Sequence, residues 1–148
     1  MATISTTTAR GGLEQAEAER YLCRRRVLLV DDDAAIRVIC SLNLRAAAFE
    51  VTEAAGGLQG LEQARRHPPD LVLSDLRMPG LDGFALAEAL SRDEATRAVP
   101  IVFLSGETGV ADRMRAYALG VAGFVSKPFD PAALVALLSG VIERTAAG

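Results

Sequence analysis

A doubly wound α/β domain, an open parallel sheet with helices on both faces, is the fold class that this 148-residue chain predicts. Three observations carry it. Five apolar runs alternate with five stretches of helical spacing, and that alternation builds parallel sheets. Most of the runs are continuous in Val, Leu and Ile rather than interleaved with polar residues, as strands covered on both sides must be. Pro68, Pro69, Pro79, Pro100 and Pro131 fall at the junctions, where a missing N–H and a fixed φ do no harm.

The elements follow in order. VLLVD (27–31) is the first strand, and DAAIRVICSLNLRAAAF (33–49) has helical spacing at Ile36, Ile39, Leu42 and Leu44. FEVTEA is the second strand and GLQGLEQARRH its helix; PDLVLSD and GFALAEALSRD form the third pair. PIVFLS with VADRMRAYALG, and AGFVSK with DPAALVALLSGVIERT, complete the set. Ahead of them, residues 1–25 read as a flexible extension: 1–12 are rich in Thr, Ser and Gly, and GLEQAEAERYLCRRR has helical spacing at Leu13, Ala16 and Arg20 but a thin apolar face. The folded domain is expected over 26–144, with a tail at 145–148. Lone His67, at a helix end before two prolines, reads as a surface residue near the cap.

Composition excludes several function classes. A formal net charge of -3 leaves no electrostatic footprint for nucleic acid. Cys23 and Cys40 lack CxxC spacing and histidine companions, so neither a disulfide framework nor a zinc site is indicated. The opening MATISTTTARGG is not a signal peptide, and no apolar run reaches the length of a membrane span. A cytoplasmic protein is expected.

The stretch LLVDDDAAIR places Asp31, Asp32 and Asp33 directly behind a buried run. At an effective dielectric of about 20, two carboxylates roughly 5 Å apart repel by about 3 kcal/mol. Two readings relieve this: the side chains fan into water with Asp33 capping the next helix, or a hard dication sits among the oxygens. Doubly wound sheets bind ligands beyond the carboxyl ends of their strands. There stand Asp31 and Asp32 after strand 1, Asp75 after strand 3, Ser105 after strand 4 and Lys127 after strand 5. Taken singly, each is an ordinary turn, cap or solvated residue. Together they fit phosphoryl transfer, which is mostly positioning and charge stabilisation: Asp75 would attack, Asp31 and Asp32 would hold Mg²⁺, Ser105 would donate to one phosphoryl oxygen and Lys127 would pair with another.

With VDDD at 30–33, SDLRMPGLDG at 74–83, FLSGE at 103–107 and FVSKPF at 124–129, the chain resembles the receiver domains of two-component response regulators over roughly residues 26–144. The resemblance implies a flavodoxin-like sheet in strand order 2-1-3-4-5 and phosphorylation of Asp75 by a histidine kinase or phosphotransfer protein. It implies Mg²⁺, with Mn²⁺ as a substitute, held by Asp32, Asp75 and the backbone carbonyl of Arg77, with Asp31 acting through water. It further implies a cis Lys127–Pro128 bond, and a switch in which Ser105 moves toward the phosphoryl group and Phe124 follows it inward. That switch would alter the face of helix 4, strand 5 and helix 5, toward a downstream protein or an attached output domain. The alternative for Phe124 is a plain core residue.

Finer expectations concern this chain's departures. Arg77 and Glu107 flank the acceptor and could meet across the site mouth, slowing hydrolysis of a phosphoaspartate; the alternative is two solvated side chains. Ala122 and Gly123 stand where relatives often carry acidic residues of a dimer face, so a monomer or weak dimer is expected. Kinase choice is placed on helix 1, at Ile36, Arg37 and Cys40. No contact with nucleic acid or membrane is expected of this chain, and no catalysis beyond its own phosphorylation and dephosphorylation. Two rival readings remain: a receiver that docks without phosphorylation, and a phosphatase of the haloacid dehalogenase type using Asp31 and Asp33, for which the chain has no cap domain.

Overall fold

The computed structural model describes residues 25–106 and 108–147. Readings made on residues 1–24, including Cys23 and most of the N-terminal helix, lie outside them, as do those on Glu107. Arg25 itself opens the first strand rather than closing a helix.

Five strands, β1 (Arg25–Val30), β2 (Phe49–Ala54), β3 (Leu71–Asp75), β4 (Ile101–Ser105) and β5 (Gly123–Ser126), alternate with α1 (Ala34–Ala46), α2 (Gly57–Arg66), α3 (Gly83–Ser91), α4 (Val110–Ala118) and α5 (Pro131–Ala147). The sheet is parallel throughout in the order β2-β1-β3-β4-β5. This is the expected doubly wound, flavodoxin-like arrangement.

The apolar runs divide between the two faces as the period of a strand demands. Leu28, Val30, Val72 and Phe103 join residues of α2, α3 and α4, among them Leu61, Phe84, Leu90 and Ala116. Val27, Leu29, Leu71, Leu73, Val102 and Leu104 join Cys40 and Leu44 of α1 and Leu134, Leu138 and Val141 of α5. Each leucine so buried contributes about 2 kcal/mol from water exclusion. The α1 spacing is corrected in part: Leu44 faces the core and Ile36 packs beside it, whereas Ile39 and Leu42 are 46% and 65% exposed. The buried stripe runs instead through Cys40, Ser41 and Leu44.

Register sets the level of the polar groups. Val30 pairs with Ser74, so Asp31 and Asp75 emerge side by side; Asp75 pairs with Leu104, and Ser105 with Ser126, so Ser105 and Lys127 leave one step further along. Two carboxylates cap the helices beside this edge. Asp33 accepts from the N–H groups of Ala35 at 2.9 Å and Ile36 at 3.4 Å, and Asp82 accepts from Ala85 at 2.9 Å. Asp33 is therefore the capping member of the aspartate triplet. Gly83 lets α3 start hard against the end of β3: a Cβ there would lie 2.6 Å from the carbonyl oxygen of Asp75.

Candidate functional site

The cleft at these strand ends encloses about 610 Å³ and is lined by Asp75, Arg77, Ser105, Gly106, Gly109, Asp112 and Lys127. Carboxylate oxygens of Asp31, Asp32 and Asp75 lie within 4.8 Å of one another, with Asp31 and Asp75 buried and Asp32 exposed. Lys127 Nζ reaches Asp31 Oδ2 at 3.1 Å and Asp75 Oδ1 at 3.4 Å, tying β5 across the sheet to β1 and β3. The Lys127–Pro128 bond is cis.

Backbone donors complete the frame. Asp31 Oδ1 accepts from the N–H of Asp33 at 2.9 Å, and Asp75 Oδ1 from that of Leu76 at 2.9 Å. Burial first, then the charge of Asp31, raises the Asp75 carboxyl above its ordinary 3.8, against the lowering effect of Lys127 and the Leu76 N–H. Burial acts to lower the Lys127 ammonium, but the hydrogen bond and charge of Asp31 and the charge of Asp75 outweigh it and leave the pKa raised from 10.5. Cys40, beneath the cleft, is pushed up to about 11 by burial and then by Asp31. The site is thus a carboxylate cluster whose negative excess one lysine only partly offsets. Its donor set, all hard oxygen at one open edge, suits Mg²⁺.

Ser105 ends β4, 2% exposed and on the cleft wall. Phe124 is half-buried, its ring centroid 5.6 Å from that of Phe103 and 5.9 Å from that of Tyr117. Phe84 extends the row, 5.7 Å from Phe103. Arg77 is exposed, but its guanidinium pairs with Asp112 Oδ2 of α4 at 2.5 Å. Asp112 was missed in the sequence; the available signal was an acidic residue in the first turn of the helix that follows the Ser105 loop. Expectations on α1 divide. Arg37 is held inward, donating to the Asp31 carbonyl at 2.7 Å, and Cys40 is wholly buried, while Val38, Ile39 and Leu42 are the exposed apolar residues of this helix. His67 is exposed at the C-cap of α2.

The doubly wound sheet and the acidic cleft at its topological switch define the class: a flavodoxin-like α/β domain with a strand-end aspartate site. The model of the response regulator receiver domain matches residues 27–139, and the chain belongs to that family, the receivers of two-component systems. Among curated relatives, the transcriptional regulator RpaA of Synechocystis is 34% identical over 120 residues, 81% of this chain and 50% of that protein. The regulatory protein CseB of Streptomyces coelicolor is 42% identical over 118 residues, 80% and 49% respectively. The chain spans about half the length of the curated relatives it matches. Among solved structures, the chemotaxis protein CheY4 of Vibrio cholerae superposes with a TM-score of 0.77 at 34% identity, over 80% of this chain and 98% of that one. The receiver domain of the sensor kinase PA1611 of Pseudomonas aeruginosa, solved with a magnesium ion in its active-site cleft, gives 0.75 at 31%, over 81% and 98%. Among the described residues, no helix is long and apolar enough to cross a membrane.

Proposed function

We propose that this domain is a phosphoacceptor whose acceptor is Asp75. The observation that supports it best is the convergence of the Asp31, Asp32 and Asp75 oxygens within 4.8 Å, with Lys127 bridging the two buried carboxylates. A carboxylate oxygen of Asp75 forms the new O–P bond as the P–N bond of a phosphohistidine donor breaks, and the imidazole leaves with its electron pair and takes up a proton. Lys127 pairs with one phosphoryl oxygen, and the Ser105 hydroxyl donates to another. Asp32, Asp75 and the Arg77 carbonyl, with Asp31 through water, would hold Mg²⁺, which supplies charge neutralisation for the phosphoryl oxygens.

In this reading a histidine kinase or phosphotransfer protein is the donor, and a downstream protein or an attached output domain reads the α4-β5-α5 face through Ser105 and Phe124. The folded unit, which runs from β1 at Arg25 through α5 to Ala147 and so includes most of the expected tail, works in the cytoplasm as a monomer or weak dimer, without membrane or nucleic-acid contact of its own, and catalyses only its own phosphorylation and dephosphorylation. Arg77 and Glu107 slow hydrolysis of the phosphoaspartate; equal phosphoaspartate lifetimes in wild type and Arg77→Ala/Glu107→Ala would remove that part.

Intact-mass analysis after incubation with acetyl phosphate, with and without Mg²⁺, tests the central reading. A single Mg²⁺-dependent phosphoryl adduct, absent in Asp75→Asn, is expected. An adduct that survives Asp75→Asn points to Asp31 and the phosphatase chemistry, and no adduct under any condition points to a receiver that only docks.

A further inference from the structure

Resting on the reading of Asp75 as acceptor, we propose that Arg77 is a second cation for the phosphoryl group, held in reserve by Asp112, and that its transfer loosens the first turns of α4. Arg77 stands two residues beyond Asp75 and lines the same cleft as Ser105 and Lys127. In the present state its guanidinium is committed to Asp112, 35 residues on, at 2.5 Å. The Arg77 side chain is 61% exposed and its guanidinium lies over the Phe84 ring at 5.8 Å, so its swing gives up that ring contact as well as the ion pair, whereas Asp112 is 24% exposed and fixed on its helix.

Charge decides where the guanidinium goes. Three carboxylates face one ammonium in the cleft and a bound dication balances the excess; phosphorylation then replaces the single charge of the Asp75 carboxylate with about two on the phosphoryl group, so a net negative charge of about one returns. Such a group carries about two negative charges and three strong acceptor oxygens, against the single charge of Asp112. Arginine suits the change because its planar fork can engage two oxygens of either partner. Asp112 is not stranded by the loss, because it lies in the first turn of α4, where the helix dipole favours a carboxylate.

The consequence falls on α4 because so little else holds that helix. Ala116 is its one buried residue, while Val110, Met114 and Tyr117 are 75%, 67% and 56% exposed. Its remaining attachments run through Arg113 over the Phe124 ring at 5.5 Å, Arg115 over Phe84 at 4.2 Å and the Tyr117–Phe124 edge contact. Removing the Arg77–Asp112 tie leaves Arg113 over Phe124 as the ring contact nearest the start of α4, with the others and the buried Ala116 further along the helix.

Titration of the full chain with trifluoroberyllate in Mg²⁺, followed by fluorine NMR, together with amide exchange over residues 110–118, tests the proposal. If Asp112 competes with the phosphoryl site for Arg77, Asp112→Asn binds the phosphoryl mimic more tightly and Arg77→Gln more weakly. Each shift is expected to be about two- to fivefold, the range for one exposed ion pair. Both variants should also speed α4 exchange in the free protein to the level that the mimic produces in wild type. Affinity shifts of the same sign in both variants, or α4 exchange unchanged by either, overturns the proposal while leaving Asp75 as acceptor. Failure of wild type to bind the mimic at all overturns the acceptor reading, and this proposal with it.

Discussion

The ammonium of Lys127 lies 3.1 Å from a carboxylate oxygen of Asp31, a residue with no exposed surface and 96 positions distant in the chain. A buried charge with one cationic neighbour depends on it heavily. Lys127→Met is expected to cost about 3 kcal/mol in metal-free buffer, the order found when a buried pair loses one member. Asp31→Asn/Lys127→Met should recover most of that loss. Urea unfolding of wild type and the two variants measures both quantities, and a double variant as unstable as Lys127→Met alone would contradict the pairing.

The raised Asp75 carboxyl makes stability depend on pH in a definite sense. A carboxyl whose folded pKa exceeds its unfolded one binds its proton more tightly in the native state, so its contribution is fully present below 3.8 and fades as pH rises through the elevated folded value. In EDTA, Asp75→Asn should therefore be more stable than wild type at about pH 7, with the difference shrinking toward the ordinary carboxylate range. Thermal melts across that window would expose the opposite trend if burial and Asp31 did not dominate.

Removing the metal should reveal the cost of the carboxylate cluster. Mg²⁺ at about ten times its Kd is expected to add about 1.4 kcal/mol, a rise of a few degrees in Tm for a domain of this size. Asp32→Asn should abolish most of that rise. Calorimetry with and without EDTA decides it, and a variant that responds to Mg²⁺ as wild type does would exclude Asp32 as a ligand.

Gly83 is the point where α3 and the end of β3 meet. Gly83→Ala would drive a methyl group to within 2.6 Å of the Asp75 carbonyl oxygen and toward the Phe103 ring, so a loss of about 2 kcal/mol is expected. Because the displaced backbone carries Asp75, the rate of adduct formation should fall as well. An unchanged melting curve would show that α3 can yield.

Ala48 turns the chain from α1 into β2 with φ at 71°, in the left-handed region. A side chain there costs about 1 kcal/mol, partly offset by the unfolded-state freedom that glycine adds. Ala48→Gly is expected to stabilise the domain by about 0.5 kcal/mol, readable as a higher urea midpoint. A lower midpoint would mean that the turn gains more from the methyl group than it loses to strain.

Continuous apolar runs and junction prolines made the fold legible, because burial on both faces of a sheet leaves its mark in composition alone. The meeting of Asp31, Asp32, Asp75, Ser105 and Lys127 at one edge was legible for a related reason: strand ends fix where they emerge. Pairings across the chain were not. The Arg77 guanidinium pairs with Asp112, 35 residues on, and no local pattern encodes that contact. The α1 face was misread at Ile39 and Leu42 because an exposed apolar residue looks the same in sequence as a buried one. The turn at Ala48 went unseen because its alanine occupies a place where glycine would have announced it.

The ring row Phe84–Phe103–Phe124–Tyr117 ends at the surface of α4 in a phenol. With no tryptophan and only two tyrosines in the chain, its ultraviolet emission comes from Tyr21 and Tyr117. Tyr21→Phe leaves a single fluorophore, placed against the ring of Phe124. The protein thus carries its own optical gauge of the contact between α4 and β5, readable without a dye, a label or a partner.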